Sequence, residues 1–272
     1  MEPIYRNNCP VCEGDRFNCR TSDWQGNFYK KCIGCGLVIQ DPSIETHYED
    51  NYWAGSVDPD GKARNMLRER DFKIKNWYGG IADFINSLPA SKILDIGCGP
   101  GFLLSALEAR HEKYGLEISN VCIEYVKANF PDIAVINSNL GQETFKESYF
   151  DVVVSYHVLE HMLYPMDLMR NIGRVLKVGG TLIVGTPNIE CFSARRFKGN
   201  FRMLGKGHRT LFSERNLLRV MNENGFTVFR KEYPFFKTDY FSFKNLVGLL
   251  KTDKVSPPFY KNIMTFYGRK HA

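Results

Sequence analysis

Four of the eight cysteines in this chain fall in two pairs, Cys9-Pro-Val-Cys12 and Cys32-Ile-Gly-Cys35, with nineteen residues between them. Each pair can sit on a tight knuckle turn that aims both thiolates at one point. Gly14, Gly34 and Gly36 are expected to supply the positive φ such turns need. Two facing knuckles make a tetrahedral thiolate site suited to Zn²⁺, with Cys9, Cys12, Cys32 and Cys35 as ligands. Four thiolates leave no open position, so this metal is expected to be structural, and Cys19 is spare. A second set of ionisable residues lies far along the chain: His157, Glu160 and His161, with His208 in a glycine-flanked loop, GKGHRTLF. Imidazoles can take a proton from an oxygen or nitrogen nucleophile near neutral pH, which makes His157 and His208 the candidate bases. The string His-x-x-Glu-His also matches an inverted zinc-protease motif, but it sits at a strand-to-helix turn with no distal carboxylate identifiable.

The third constellation can hold a nucleoside. Lys92–Ile96 reads as a short buried strand, followed by Gly97-Cys98-Gly99-Pro100-Gly101 and the helical FLLSALEAR. Strand, glycine turn and helix in this order let backbone amides approach a ligand at the helix N-terminus. Asp95 ends that strand at its ligand-facing edge. Glu117 lies twenty residues after Gly97, at the end of the next expected strand, where a carboxylate can accept both hydroxyls of a ribose. Phe102 replaces the third glycine of the dinucleotide fingerprint, and no Gly-Lys-Ser/Thr for a nucleoside triphosphate is present.

These groups need a scaffold, and the chain divides into three parts. Residues 1–40 read as a zinc-ribbon-like module, whose NFYKKC forms a strand leading into the second knuckle. A segment this small folds around its metal, which contributes on the order of 10 kcal/mol. Residues 41–88 read as a linker, with Tyr48, Tyr52 and Trp53 as anchors, and then a helix from Lys62 to about Leu88, kinked at Gly79-Gly80 and ended by Pro89. Residues 89–272 read as one α/β domain with strands near 92–96, 113–117, 132–136, 150–155, 180–185, 226–231 and 263–269. The segments at about 190–211 and 232–261 exceed ordinary loop length and are expected to form an acceptor lid. Within the second, YFSFKNLVGLL has the pattern of a short amphipathic helix, facing either the core or a membrane.

Composition is that of a globular protein, 43% hydrophobic and 24% charged, with no run long enough to span a bilayer. The opening MEPIYRNNCP has no basic region followed by an apolar run, and a cytoplasmic location is expected. The formal charge is +6. Residues 191–213 hold Arg195, Arg196, Lys198, Arg202, Lys206 and Arg209 without an acid, equal to that whole excess. Arginine pairs two oxygens of a phosphate or carboxylate at once, so the acceptor is expected to be anionic.

LDIGCGPG resembles the first motif of class I, Rossmann-like S-adenosylmethionine-dependent methyltransferases, with Glu117 as their acidic ribose ligand. FDVVVSYHVLEHM is similar to that family's fourth strand and following loop, LKVGGTLIVGTPN to its Gly-Gly turn and fifth strand, and NIMTFYGRK to its closing strand. The resemblance spans roughly residues 90–272. It implies a seven-stranded, mainly parallel sheet with helices on both faces and an antiparallel last strand. It further implies that Asp95 binds the methionyl amino group and that Gly97, Cys98, Gly99 and Gly101 admit the methionyl and ribose portions. Glu117, Ile118, Asn139 and Leu140 would flank ribose and adenine, and the backbone of His157 would lie beside the methionine tail. Ubiquinone-pathway O-methyltransferases resemble residues 157–161 too, with a Glu in place of His157. Their Glu-x-x-Glu-His set is associated with a divalent metal, which here would fall to His157, Glu160 and His161. Enzymes that carry a four-cysteine knuckle pair before this core resemble those of bacterial polysaccharide and natural-product pathways. That implies a small-molecule, sugar-derived or carrier-linked acceptor. An RNA substrate fits the zinc module and basic charge, but the fourth strand ends in SYHV, not the Asp/Asn-Pro-Pro-aromatic loop of amino-methylating nucleic-acid enzymes, and a Pro-Cys nucleophile is lacking. A non-catalytic docking protein on a cofactor fold is a third reading, disfavoured by the intact glycine turn and Glu117.

Overall fold

The computed structural model describes residues 7–43, 53, 55–57, 63–141, 145–205 and 207–271. Tyr48, Tyr52 and Lys206 lie outside them. The first cysteine pair precedes, and the second spans the β2–β3 turn of, three antiparallel strands, β1 (Phe17–Ser22), β2 (Phe28–Cys32) and β3 (Val38–Gln40). Asp23 closes the β1–β2 turn by accepting from the amides of Gln25 (2.8 Å) and Asn27 (2.9 Å). A two-stranded ribbon, β4 (Ser56–Val57) and β5 (Ala63–Arg64), leads into a helical run: α1 (Arg70–Lys73), a π-turn over Ile74–Tyr78, and α2 (Gly79–Asn86). The helix thus starts later than its periodicity predicts, and it breaks just before the two glycines, not at them. A Cβ on Gly79 would stand 3.3 Å from the Ile74 carbonyl oxygen, and one on Gly80 2.9 Å from the Glu232 carboxylate, so close approach favours glycine at both positions.

The remaining elements follow in the order β6 (Lys92–Ile96), α3 (Phe102–Ser105), β7 (Glu112–Glu117), α4 (Asn120–Asn129), β8 (Ile133–Asn137), β9 (Phe150–Tyr156), α5 (Pro165–Val175), β10 (Leu176–Pro187), α6 (Phe192–Phe197), β11 (Thr210–Leu211), α7 (Glu214–Glu223), β12 (Phe226–Glu232), α8 (Phe243–Gly248) and β13 (Ile263–Lys270). All but the two-residue β11 join one seven-stranded sheet in the order β12-β13-β10-β9-β6-β7-β8. Pairing is parallel from β10 through β8, while β13 runs antiparallel between β10 and β12. This is the Rossmann-like methyltransferase fold. Successive strand residues face opposite layers, as a pleat demands. Ile93, Val152, Val154 and Ile183 pack under Ile81 and Ile85 of α2 and Val126 of α4. Leu94, Val153, Leu182 and Val184 pack against Ile172 of α5 and Val220 of α7. Each fully buried Val or Leu there contributes roughly 1.5–3 kcal/mol. The chain leaves β6 toward β7 on one side and later returns through β9 on the other, so a crevice opens at the carboxyl ends of these strands, where such sheets bind ligands.

The small module does not stand apart. β11 pairs antiparallel with β3, Thr210 opposite Ile39 and Leu211 opposite Val38, which makes a four-stranded sheet β1-β2-β3-β11. The buried Tyr29 hydroxyl accepts from the Gly205 amide (2.7 Å) and donates to Asp23 (3.2 Å). Asn216, in the capping box that starts α7, donates its side-chain amide to the Cys35 carbonyl.

Candidate functional site

A cavity of about 920 Å³ occupies the crevice beyond β6 and β9. Its floor is the glycine turn. Gly97 and Gly99 adopt φ of 67° and 52°, and a Cβ would meet Val158 at 2.7 Å and the Trp53 ring at 2.8 Å respectively. Only glycine fits such positions. Glu117, at the end of β7, anchors the turn from behind. One carboxylate oxygen accepts from the Gly99 amide (2.7 Å), and the other from the amides of Ile118 (2.8 Å) and Ser119 (2.9 Å). Gly97, Cys98, Gly99, Glu117, Ile118 and Asn139 all line the cavity. Asp95, Gly101 and Leu140 are not part of its lining. Asp95 is 4% exposed behind the turn, and burial, then the Glu117 charge, push its carboxyl well above the usual range. Gly101 precedes α3 with a left-handed φ of 73°, and Leu140 belongs to the core. Trp53 lies over Gly99.

The histidines gather on the opposite wall. His157 directly follows β9 with φ 57°, held there by its amide donating to the Gly185 carbonyl (2.8 Å). Its Nδ1 lies 2.7 Å from Oε1 of Glu160, which is fully buried and also accepts from the Thr186 hydroxyl (3.0 Å). Burial opposes ionisation of Glu160, but the His157 hydrogen bond, with the charge that the neighbouring imidazoles carry when protonated, outweighs it and holds the carboxyl at about 2. A carboxylate cannot donate, so the hydrogen bond to Glu160 is assigned to the Nδ1 proton of His157, which leaves Nε2 as the basic nitrogen of the neutral ring. The ring is set by Trp77, with centroids 5.5 Å apart, and by Tyr156 at 4.9 Å. This is the geometry of a carboxylate-oriented imidazole base.

His208 is drawn into the same cluster, which its place in a distant loop did not announce. Its Nδ1 donates to the Met203 carbonyl (2.6 Å), and its Nε2 lies 4.0 Å from Glu160 Oε1. Burial and the adjacent His161 press its pKa down to about 3, so it is neutral. His161 donates Nδ1 to the Gly207 carbonyl (3.2 Å) and meets the His208 ring at 4.8 Å, and burial lowers its pKa too. Donor atoms of Glu160, His161 and His208 lie within 4.8 Å of one another. The set brought together therefore contains His208 in the place that the resemblance assigns to His157.

The basic stretch divides. Arg202 lines the cavity, whereas Arg195 and Arg196 do not. Arg196 is exposed, with its Nε donating to the Leu249 carbonyl (2.7 Å). Arg64, Arg68 and Arg70, which precede or open α1, also line the cavity and escaped sequence reasoning. In the small module the four knuckle cysteines form no disulfide, with sulfurs 3.6 Å (Cys9 to Cys35) and 3.5 Å (Cys12 to Cys32) apart and all four within 4.8 Å. A tetrahedron with Zn–S of about 2.3 Å has edges of roughly 3.8 Å, so the sulfurs fit that metal.

A family profile described as a methyltransferase domain matches residues 62–231. The chain belongs to this methyltransferase family. A protein of Mycolicibacterium smegmatis named as a probable S-adenosylmethionine-dependent methyltransferase is 27% identical over 137 residues, 50% of this chain and 52% of that one. A similarly named protein of Mycobacterium tuberculosis is 32% identical over 39% of each chain. A ubiquinone biosynthesis O-methyltransferase of Nitrosomonas europaea is 28% identical over 40% of this chain and 48% of its own. This chain thus spans about half or less of these curated relatives. Among solved structures, a Haloferax volcanii complex of the Trm112 methyltransferase activator and a methyltransferase matches with TM-score 0.58 and 16% identity, covering 84% of this chain and 100% of that one. An S-adenosylmethionine-dependent methyltransferase of Archaeoglobus fulgidus matches with TM-score 0.52 and 18% identity, over 75% and 98% of the two chains. These structural likenesses establish the fold.

Proposed function

We propose that this chain transfers the methyl group of S-adenosylmethionine to a hydroxyl oxygen of an anionic small molecule. The observation that carries the reading is the His157–Glu160 pair at the wall of a cavity floored by the glycine turn. The cavity has room for a nucleoside cofactor and a small acceptor together. Glu117 and the amides of the turn would hold the ribose side, Ile118 and Asn139 the adenine, and Asp95 the amino group behind the turn. An ammonium beside Asp95 would offset the burial that raises its pKa. S-adenosylmethionine supplies an electrophilic sulfonium methyl. His157 Nε2 takes the acceptor's hydroxyl proton as the oxygen attacks, and Glu160 stabilises the imidazolium that forms. When bound, the cofactor would give up the methyl group with the C–S electron pair left on sulfur, so that S-adenosylhomocysteine would be the leaving group. Arg202 faces the cavity and would pair with a phosphate or carboxylate of the acceptor. Zinc at Cys9, Cys12, Cys32 and Cys35 would be structural.

A metabolite screen with the purified protein and S-adenosylmethionine tests this reading by mass gains of one methylene. Product formation should depend on His157, and an uncharged or carbon acceptor would overturn the finer statement. The cluster of Glu160, His161 and His208 favours a second reading, a divalent transition metal that polarises the acceptor oxygen. Restoration of a chelated enzyme by manganese or zinc, abolished in His208→Ala, would support it over general-base catalysis.

A further inference from the structure

The mouth of the cavity is bordered by a surface that a protein in water alone does not explain. α8 buries none of its residues, so of the two orientations expected for this segment, toward the core or toward a membrane, the first does not hold. Phe243 is 81% exposed, Leu250 75%, Phe236 62% and Phe241 50%. Single exposed apolar residues are ordinary, but a contiguous group marks an interaction site. Part of the group here is joined ring to ring: Phe236 stands 5.4 Å from Phe241 and 5.3 Å from Phe235, and Phe235 stands 5.1 Å from Phe259, while Phe243 opens α8 two residues beyond Phe241 and Leu250 lies just past the end of that helix. Phe235 and Phe259 line the cavity, so an aromatic path leads from the cavity out to the exposed face.

Charge on this face has one dominant sign. Lys237, Lys244, Lys251 and Lys254 are exposed among the apolar residues. Exposed Arg195 and Lys198 join them from α6 and its end, a segment tied to α8 by Arg196 on the Leu249 carbonyl and by Asn200 on the Thr252 carbonyl (3.0 Å). Residues 192–200 and 236–254 together hold seven basic and two acidic residues, and one of the acids, Asp239, pairs with Lys75. A second copy of this chain, meeting it face to face, would set these positive charges against their own kind. An anionic bilayer supplies their complement, while lysine stems lie along apolar surface with their heads at the phosphates.

We propose that this face binds the surface of an anionic lipid bilayer. Phe236, Phe241, Phe243 and Leu250 enter the headgroup region, the lysines contact lipid phosphates, and the cavity mouth opens toward the membrane. No helix among the described residues is long and apolar enough to cross it, so binding is peripheral. The inference is independent of the chemistry proposed for the cavity.

The test is sedimentation of the full chain with vesicles of phosphatidylcholine alone or mixed with phosphatidylglycerol. Binding is expected to the mixed vesicles only and to be reversed by high salt. Phe243→Ser/Leu250→Ser and, separately, Lys244→Glu/Lys251→Glu should each weaken it about tenfold or more, with unchanged melting temperature and S-adenosylmethionine titration. Absence of binding to mixed vesicles would overturn the proposal, as would binding that both variants retain. So would a wild-type dimer that Phe243→Ser/Leu250→Ser converts to monomer without any vesicle binding.

Discussion

Glu117→Gln is the sharpest perturbation of the cofactor site, because it removes a charge while keeping the shape. Both carboxylate oxygens of Glu117 accept from backbone amides: one from Gly99, the other from Ile118 and Ser119. A glutamine has one acceptor oxygen. Turned toward Ile118 and Ser119 it keeps two bonds, but its NH₂ then faces the Gly99 N–H, donor against donor. The Gly99 amide sits at 2.7 Å from a residue 7% exposed, so its loss removes a buried, charge-assisted hydrogen bond. Such bonds contribute about 1.5–3 kcal/mol, which corresponds to a roughly 10- to 100-fold weaker affinity if the turn must hold its shape to bind. Calorimetric titration with S-adenosylmethionine and S-adenosylhomocysteine measures this without knowledge of the acceptor. Asp95→Asn, which offers the ammonium an amide oxygen but no charge, should weaken both ligands similarly, since both carry that ammonium. Glu117→Gln binding either ligand within about threefold of wild type would refute the reasoning: the turn and the ribose would then be held by other groups.

Elemental analysis of purified protein should find about one zinc per chain, and Cys32→Ser should lose it and destabilise the β1-β2-β3-β11 sheet; cysteines oxidised in pairs would contradict this. Tyr29→Phe leaves the buried Gly205 amide without the hydroxyl it donates to and Asp23 Oδ2 with Asn27 as its donor, so a loss of about 1–3 kcal/mol is expected in urea unfolding. Once an acceptor is in hand, His157→Ala should lower kcat by roughly 100-fold or more, and Glu160→Gln by about 10- to 100-fold, with cofactor affinity retained. Arg202→Gln should raise the acceptor KM, whereas Arg195→Gln/Arg196→Gln together should leave it near wild type, since neither residue lines the cavity; the reverse pattern would return the acceptor grip to the outer stretch.

Much of this molecule is legible along the chain because its determinants are local. Parallel strands buried on both faces read as continuous apolar runs, and β6 and β9 fall where Lys92–Ile96 and residues 150–155 predict them. The glycine turn announces itself by positions where a side chain has no room, and Glu117 by its distance from that turn. The two cysteine pairs do the same, since a knuckle is a turn of a few residues. Other features depend on contacts across long stretches of chain, which leave no periodic trace. Nothing in Thr210–Leu211 foretells that it completes a sheet with Val38 and Ile39, about 170 residues earlier. That same packing carries the His208 loop toward Glu160, so a histidine that reads as a lone loop residue becomes part of a buried cluster. Charge behaves likewise: the basic run 191–213 is plain in the sequence, but which arginine faces the cavity is set by how α6 meets α8, and Arg202 does while Arg196 turns to a helix-end carbonyl. Residue type and spacing determine what a segment can do; the direction of each side chain, and so its partner, is decided when the sheet and its two layers close.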